Sequence, residues 1–573
     1  MFIRTNKIKN DELVYLVEGY RNSDQKVKQR IVKRYGLLSE LKKDDPNILV
    51  KLRKEAKEME SGFFTSIQLN MNATNQEASN SLNYGYFFLD SIYEALKIPM
   101  FISNHTRKYN NKYNVNNIMK LLVYARILNP ASKKETFESK DKYFDLNCDF
   151  SLDDLYRSLS IMNQFKKDLE RWVYTQIKEQ TGRDTTLVFY DVTNYYFETE
   201  TEDENTLDDV DEIIEEGLRR KGVSKEHRPE PIVQMGLLID NNGIPIAYRL
   251  FPGNTNDKVT LIPVLNELKE KYELGRVIVV ADKGLNSGNN LLYITNNDNG
   301  YIVSQQIRKR KKEMIEKVLD EDGYIYNESK TFKIKDWTEE KQVKDQTGNP
   351  HILKEKVVSF WSKDFETREK YKRGNLEEII EKFQKNPKLY TASNAYGVKK
   401  YLKEKHVDQE TGEIKKKNPI LLFDQEKYNR DCALDGYYMI VTSELNLSNE
   451  EIIEKYSGLS IIEESFRIIK SDLEGRPVYV WTKEHIEAHF LICFMALVIM
   501  RILQKKLDYN YSAQKIQKAL SGATCKLITQ EIYSLEIQDD TYQDIERVNN
   551  VSLNKAYVKK TELKAYQRNV NKK

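Results

Sequence analysis

The spacing of apolar and polar residues divides the chain into stretches of different character. Over residues 1–60, Phe2-Ile3-Arg4-Thr5 and Val14-Tyr15-Leu16-Val17 predict short strands, and the charged stretches Lys26 to Tyr35 and Pro46 to Met59 predict helices. From 61 to 180 the pattern is helical. Tyr84 to Leu96, Val115 to Leu128 and Asp153 to Ile177 place apolar residues three and four apart, and Asn129-Pro130 closes the second of these. The pattern changes at Thr185, where Thr185 to Phe197 is rich in β-branched and aromatic residues and predicts a strand. Ile232 to Asp240, a turn at Asn241-Asn242-Gly243, and Ile244 to Phe251 predict a hairpin. A helix opens at Asn254 to Asp257 and runs to about Tyr272. Arg276 to Ala281 is a continuous apolar run, as in a strand buried on both faces. A helix from about Gly288 and a strand Tyr301 to Gln305 follow. Three antiparallel strands, a helix, a strand, a helix and a strand predict one mixed sheet with helices on its faces.

Residues 306–436 break this pattern. They are lysine-rich, with strand-like pieces at Gly323 to Tyr326 and Val357 to Trp361 and turn signals at Thr347-Gly348-Asn349-Pro350 and Thr411-Gly412. They predict an insertion with β-content. Gly436 to Thr442 returns to a buried strand, and helices are predicted at about Asn449 to Leu473 and Lys483 to Leu507. The apolar run Phe490 to Met500 is too short to span a bilayer and reads as core.

Composition narrows the function classes. The 573 residues carry 91 Lys and Arg against 88 Asp and Glu, a net charge of +3, with 40% hydrophobic residues. That fits a soluble globular chain and argues against wholesale disorder. Cys148, Cys432, Cys493 and Cys525 are far apart and form no C-x-x-C, which suits a reducing cytoplasm and no disulfide framework. The N-terminus has no apolar segment of the secretory type. His485 and His489 are four apart on a predicted helix but lack a third zinc ligand, so a core role is the expectation. Charge is uneven: residues 1–60 hold 15 basic and 10 acidic side chains, residues 541–573 hold 8 and 3, and Glu198 to Glu216 holds 11 acids and no base. Solvated faces explain such clusters, and so do phosphate contacts at the basic ends.

Three acids occupy positions that strands and helices rarely yield. Asp191 interrupts the apolar strand Leu187-Val-Phe-Tyr-Asp-Val, and Asp282 follows Val277-Ile-Val-Val-Ala at a strand's carboxyl end, where ligand crevices form. Glu463 lies among apolar neighbours on Ile461-Ile-Glu-Glu-Ser-Phe-Arg-Ile-Ile-Lys470. Unpaired buried carboxylates are costly, and converging ones are relieved by divalent cations held through oxygen. Two such metals clamp the attacking and leaving oxygens of phosphoryl transfer. Taken singly, each acid is equally well read as a cap, a turn residue or a surface group.

Their surroundings carry a stronger signal. Tyr456-x-x-Leu459-x-x-x-Glu463-x-x-x-x-x-x-Lys470 resembles the Y-(2)-R-(3)-E-(6)-K signature of insertion-sequence DDE transposases, with Leu459 where the signature has Arg. Tyr190-Asp191-Val192-Thr193, Phe251-Pro-Gly-Asn-Thr255, Val280-Ala-Asp-Lys-Gly-Leu-Asn286, Ile462-Glu-Glu-Ser-Phe-Arg467 and Arg476-Pro477 are similar to further segments of that family, in its order, over about residues 180–505. The departure at Leu459 removes a phosphate contact from that position, not the acids.

The resemblance implies an α/β, RNase H-like mixed sheet with flanking helices, interrupted by a β-rich insertion, behind a mainly helical N-terminal region. It implies a small DNA-binding unit at 1–60, a terminal-repeat-binding helical region at 61–180, a catalytic domain split into 181–305 and 437–510 around the insertion at 306–436, and a basic C-terminal region at 511–573. Asp191, Asp282 and Glu463 are expected to be catalytic and to bind two Mg²⁺, with Mn²⁺ as a substitute. Tyr456, Arg467 and Lys470 are expected to contact DNA, and Glu464, about 100° round the helix from Glu463, to face solvent or DNA. The basic tail and the insertion's lysines are expected to hold phosphate. The implied function is that of a bacterial insertion-sequence transposase, cytoplasmic and on DNA, with no membrane. It would act as a homodimer on terminal inverted repeats and target double-stranded DNA. The rivals are an RNase H-like nuclease without strand transfer and an inactive DNA-binding derivative.

Overall fold

A computed structural model of the chain describes residues 1–8, 11–21, 27–60, 81–109, 112–208, 212–226, 228–272, 274–345, 347–386, 389, 397–405, 420–528, 531–536 and 539–572. The turn expected at Thr411-Gly412, residues 61–80 of the expected helical region and Asp209 to Asp211 of the acidic stretch lie outside them. The chain divides into two compact units, residues 1–80 with 527–531 and the remainder.

The small unit is a three-stranded antiparallel sheet, Phe2–Ile8, Asp11–Arg21 and Val27–Leu37, followed by helices Leu38–Asp44 and Ile48–Glu60. Val14, Leu38 and Leu52 form its core. Of the expected helix at Lys26 to Tyr35, Lys26 lies outside the described residues and Val27 to Tyr35 belong to the third strand. Pairing with Asp11–Arg21 satisfies its backbone, which outweighs a weak helical propensity. Lys28, Arg30, Lys33 and Arg34 stay exposed along it.

The large unit is built on a nine-stranded sheet. In chain order its strands are β1 (Leu187–Tyr196), β2 (Ile232–Asp240), β3 (Pro245–Pro252), β4 (Ile278–Ala281), β5 (Gly300–Ser304), β6 (Ile325–Tyr326), β7 (Phe332–Lys344), β8 (Pro350–Ser362) and β9 (Tyr437–Thr442). The spatial order is β6-β7-β8-β9-β5-β4-β1-β2-β3. β1 pairs antiparallel with β2 and β2 with β3, while β4 is parallel to both β1 and β5. The helices Asp257–Tyr272 and Gly288–Asn296 make the two crossovers that parallel strands require. The hairpin, the crossovers and the apolar strand β4 stand where the pattern predicts them.

The β-content expected of the insertion is present in β6, β7 and β8. Its long β7–β8 hairpin does not form a separate body: β8 pairs with β9 along six residues and so extends the central sheet. The turn at Thr347 to Pro350 is present, closed by Gly348 at φ +90°. Among the described residues, the rest of the insertion carries helices Lys312–Leu319, Lys363–Arg373, Leu376–Lys385 and Gln425–Ala433 and the paired strands Leu402–Lys405 and Ile420–Phe423.

The sheet separates two apolar cores by strand parity. Leu187, Phe189 and Tyr195 of β1 face the core around helix Lys483–Lys506, while Val188, Tyr190 and Val192 face the core of the crossover helices. Helix Lys483–Lys506, N-capped by the Thr482 hydroxyl, is long and apolar enough to cross a membrane by length and composition. Phe490 to Met500 are all fully buried in the protein, against helices Phe87–Ala95, Val115–Leu128 and Leu152–Thr181. Residues 511–572 are not a detached basic tail. Strand Thr524–Leu527 pairs with Leu82–Asn83, and helix Lys560–Asn571 buries Leu563, Tyr566 and Val570 beside Phe87–Ala95.

A fully buried ion pair pins the β2–β3 turn. Arg183 Nε donates to Asp240 Oδ2 at 2.7 Å, and its Nη2 donates to the carbonyls of Ile244 and Pro245. Removing one partner strands a charge in the core. Asp240→Ala is therefore expected to cost about 3–5 kcal/mol in urea unfolding. Glu381→Ala, at an exposed i,i+4 pair with Lys385, is expected to cost under about 0.5 kcal/mol.

Candidate active site

Parity and register bring the first two acids together. The last paired residues of β1 and β4 are Phe189 and Val280. Asp191 and Asp282 each lie two residues further on, so both project to the same face as those two, at neighbouring strand positions. That is the face covered by helix Leu459–Arg467, which carries Glu463.

This helix is short because the predicted long helix is broken. Asn449–Ser457, capped by a Ser448–Glu451 capping box, stops at Gly458, and Leu459–Arg467 starts anew before a π-turn at Ile468–Asp472. A β-carbon at Gly458 would overlap the Phe189 ring, so glycine allows the helix to sit directly on β1. Gly243, in the β2–β3 turn at φ +74°, likewise leaves room for the Ile461 side chain. Leu459, Ile462, Ser465 and Phe466 face the core and Glu463 is exposed. Glu464, expected to face solvent or DNA, is partly exposed but is held toward the core by a pairing the sequence did not show. It accepts from Nη1 of the fully buried Arg501 at 2.9 Å, and Arg501 also donates to the Ile461 carbonyl and the Ser465 hydroxyl.

Asp191, Asp282, Glu463, Tyr456, Arg467 and Lys470 all line one cavity of about 900 Å³. Burial, with help from Asp282 and Asp257, pushes the Asp191 carboxyl up to about 6, opposed by the Lys225 ammonium. Asp282 accepts from the Ser304 hydroxyl at 2.9 Å. The Tyr456 hydroxyl is raised by burial and by the Asp282 and Glu463 carboxylates beside it, so it stays protonated. Arg467 donates to both carboxylate oxygens of Asp472 at 3.1 Å. Lys470 is mostly buried, 3.3 Å from Glu226, which also pairs with Arg476, and burial lowers its ammonium.

Three groups in this site escaped the sequence reading. Lys225, within the basic run Arg219 to Arg228, donates to the Val192 carbonyl at 2.7 Å and lines the cavity. Asp257, at the start of its helix, is a fourth carboxylate whose acidity is lowered by burial and which raises Asp191. Glu226 fixes two of the site's cations. Nothing in a linear pattern separates these from a solvated loop. His485 and His489 form no metal pair. His489 is buried between Lys133 Nζ at 3.3 Å and the Gly475 carbonyl at 3.1 Å, and burial keeps it neutral.

The donor set is all carboxylate oxygen, which suits a hard divalent cation rather than zinc. Asp191 and Asp282 are neighbouring acids with one ammonium beside them, a pair that a cation would stabilise. Among the described residues, however, no three of His, Cys, Asp and Glu stand close enough together to hold one ion, and Glu463 is not grouped with the aspartates in that way.

Comparison with known proteins bears on this site. Residues 215–499 match the model of the transposase DDE domain, a segment that includes Asp282 and Glu463 and begins after Asp191. Residues 3–65 match the IS1634 family transposase N-terminal domain. No protein of curated function matches the sequence. Among solved structures, a cryo-EM structure of the piggyBac transposase synaptic complex with hairpin DNA is similar over 85% of this chain and 84% of that one. Its identity is 9% and its TM-score 0.35.

The raised Asp191 carboxyl has a signed consequence for stability. The folded state binds this proton more tightly than the unfolded chain, so the charged form weakens the fold. The cost is absent below about pH 4, grows as pH rises, and is complete above about pH 6. In metal-free buffer Asp191→Asn is expected to be more stable than wild type by roughly 2–3 kcal/mol at neutral pH, with the gap closing near pH 4. Urea unfolding at both pH values checks this.

Proposed function

We propose that this transposase, recognised by the DDE and IS1634-type N-terminal domains it carries, cuts the ends of a bacterial insertion sequence and joins them to target DNA by a DDE mechanism. The observation that supports this most directly is the projection of Asp191 and Asp282 from adjacent strands into the cavity that Glu463 lines. The order β3-β2-β1-β4-β5, with the first strand antiparallel to the second and parallel to the fourth, supports an RNase H-like core.

In this reading Asp191 and Asp282 hold Mg²⁺, with Glu463 as the third acid. When bound, the metal supplies charge stabilisation and an activated water in phosphodiester hydrolysis. The chain's own residues do the positioning. Lys225 and Arg476 give the cavity positive charge that holds the scissile phosphate against the acids. Glu226 fixes Lys470 and Arg476, so the cations are preorganised rather than free to collapse onto the aspartates. The Tyr456 hydroxyl, held protonated, is a hydrogen-bond donor to the DNA strand. Water breaks the bond at the element end, and the freed 3′-hydroxyl then attacks a target phosphodiester in line, with the target 3′-oxygen leaving.

The exposed cations Lys28, Arg30, Lys33 and Arg34 support DNA binding by the small unit. The helical region is assigned to terminal-repeat binding. Pairing of two ends calls for a homodimer on DNA, in the bacterial cytoplasm.

The test is a Mg²⁺-dependent cleavage and strand-transfer assay on DNA carrying the element's own ends. Wild type should cut and join. Asp191→Asn, Asp282→Asn and Glu463→Gln should bind the ends yet lose at least about a thousandfold in cutting rate, which is the scale of lost transition-state charge stabilisation. Glu464→Gln should instead lower thermal stability, because it loosens the Arg501 clamp. Cutting without joining would replace this reading by that of a nuclease, and full activity in Glu463→Gln would remove that residue from the site.

A further inference from the structure

A second cavity, of about 760 Å³, adjoins the acid site and shares Asp282, Lys283, Phe365 and Tyr438 with it. Its far wall belongs to the insertion, from helices Lys363–Arg373 and Gln425–Ala433, and its floor to the segment after β5. Its charge is lopsided. The two acids of the insertion wall are already neutralised, Glu369 by Arg308 at 2.7 Å and Asp431 by Lys400 at 3.3 Å. Lys283, Lys309, Arg368, Lys372 and Arg430 are exposed, and among the described residues none of them forms an ion pair with an acid. Cations left unpaired around a concavity attract a polyanion. The junction of the two cavities is aromatic: Tyr438 is 43% exposed, stacked on Phe360 at 5.7 Å and packed against Phe365 at 5.4 Å. A ring backed by two others presents a rigid face to a base.

We propose that this cavity is a channel for one nucleic-acid strand, which runs from the acid site beneath the insertion with its phosphates on the five cations and a base on Tyr438. The proposal rests on the reading of the adjoining acids as a DNA-cutting site. A groove of about 760 Å³ accommodates a short run of one strand. Aromatic faces joined to an unpaired cationic groove are the means by which single strands are held without regard to sequence. A site for duplex would need no exposed ring. The insertion thus has a specific use: two of its helices wall the groove, while its hairpin joins the sheet.

The experiment measures binding of the full chain to a fluorescein-labelled duplex with and without an oligothymidine tail, across salt concentrations. Wild type should prefer the tailed duplex. The combined variant Arg368→Ala, Lys372→Ala and Arg430→Ala should lose that preference while binding the blunt duplex as before. Its salt slope on tailed DNA should fall by about 2, for three lost single-strand phosphate contacts. Tyr438→Ala should bind the tail about tenfold more weakly, and Tyr438→Phe should restore binding. Equal preference for the tail in wild type and the triple variant overturns the channel, as does unchanged tail binding by Tyr438→Ala. Failure of wild type to cut the element's own ends overturns the underlying reading instead, and does so without reference to the tail.

Discussion

The position of the acid site hangs on one buried guanidinium. Arg501 projects from the central core helix and is 1% exposed. A charge so placed must be paired and hydrogen-bonded, or the cost is prohibitive. Glu464, Ser465 and the Ile461 carbonyl meet that demand, and all three belong to the short helix beneath β1. Once Glu464 is turned toward Arg501, the 100° step of an α-helix turns Glu463 to the cavity. The clamp therefore sets the rotation of the helix, and Gly458 sets its distance from the sheet.

The opposite wall of the cavity follows from a second constraint, the two-residue period of a strand. Asp191 and Asp282 share a face because each is two residues beyond a paired position of adjacent parallel strands. Burial raises the proton affinity of Asp191, the Asp282 and Asp257 charges add to it, and the Lys225 ammonium tempers it. The site is an acid pair within a cationic frame, with Lys225 close to Asp191 and with Lys470 and Arg476 held off by Glu226. The excess of cations continues into the neighbouring cavity under the insertion, where Glu369 and Asp431 are already paired with Arg308 and Lys400.

Much of this was legible in the residues. The hairpin β2–β3, the apolar strand β4, the two crossover helices and the core helix all announce themselves by period, run length and turn chemistry. Those are local properties that survive in any environment. The six residues singled out as site candidates do line one cavity. Lys26 to Tyr35 misled because a run of closely spaced cations suits a solvated helix as well as an exposed strand. Only pairing with Asp11–Arg21 decides between them. The long helix expected to run to Leu473 misled because a helical period continues through Gly458. The interruption falls at Gly458, where the missing β-carbon admits the Phe189 ring, a residue remote in sequence.

By itself, then, the sequence determined which segments become strands and helices in the central sheet, and which acids interrupt them, because apolar period and turn residues act over short range. Tertiary structure decided the rest. Edge pairing made the insertion's hairpin part of the main sheet, since β8 finds its partner in β9, far along the chain. Packing against Phe87–Ala95 drew the basic C-terminal residues into the fold, because Leu563, Tyr566 and Val570 needed an apolar surface that no nearby segment supplies. Long-range charge pairing decided which cations remain available. Arg308 and Lys400 are spent on Glu369 and Asp431, while Arg368 and Arg430 are left open, a distinction that depends on which helices meet and not on any spacing along the chain.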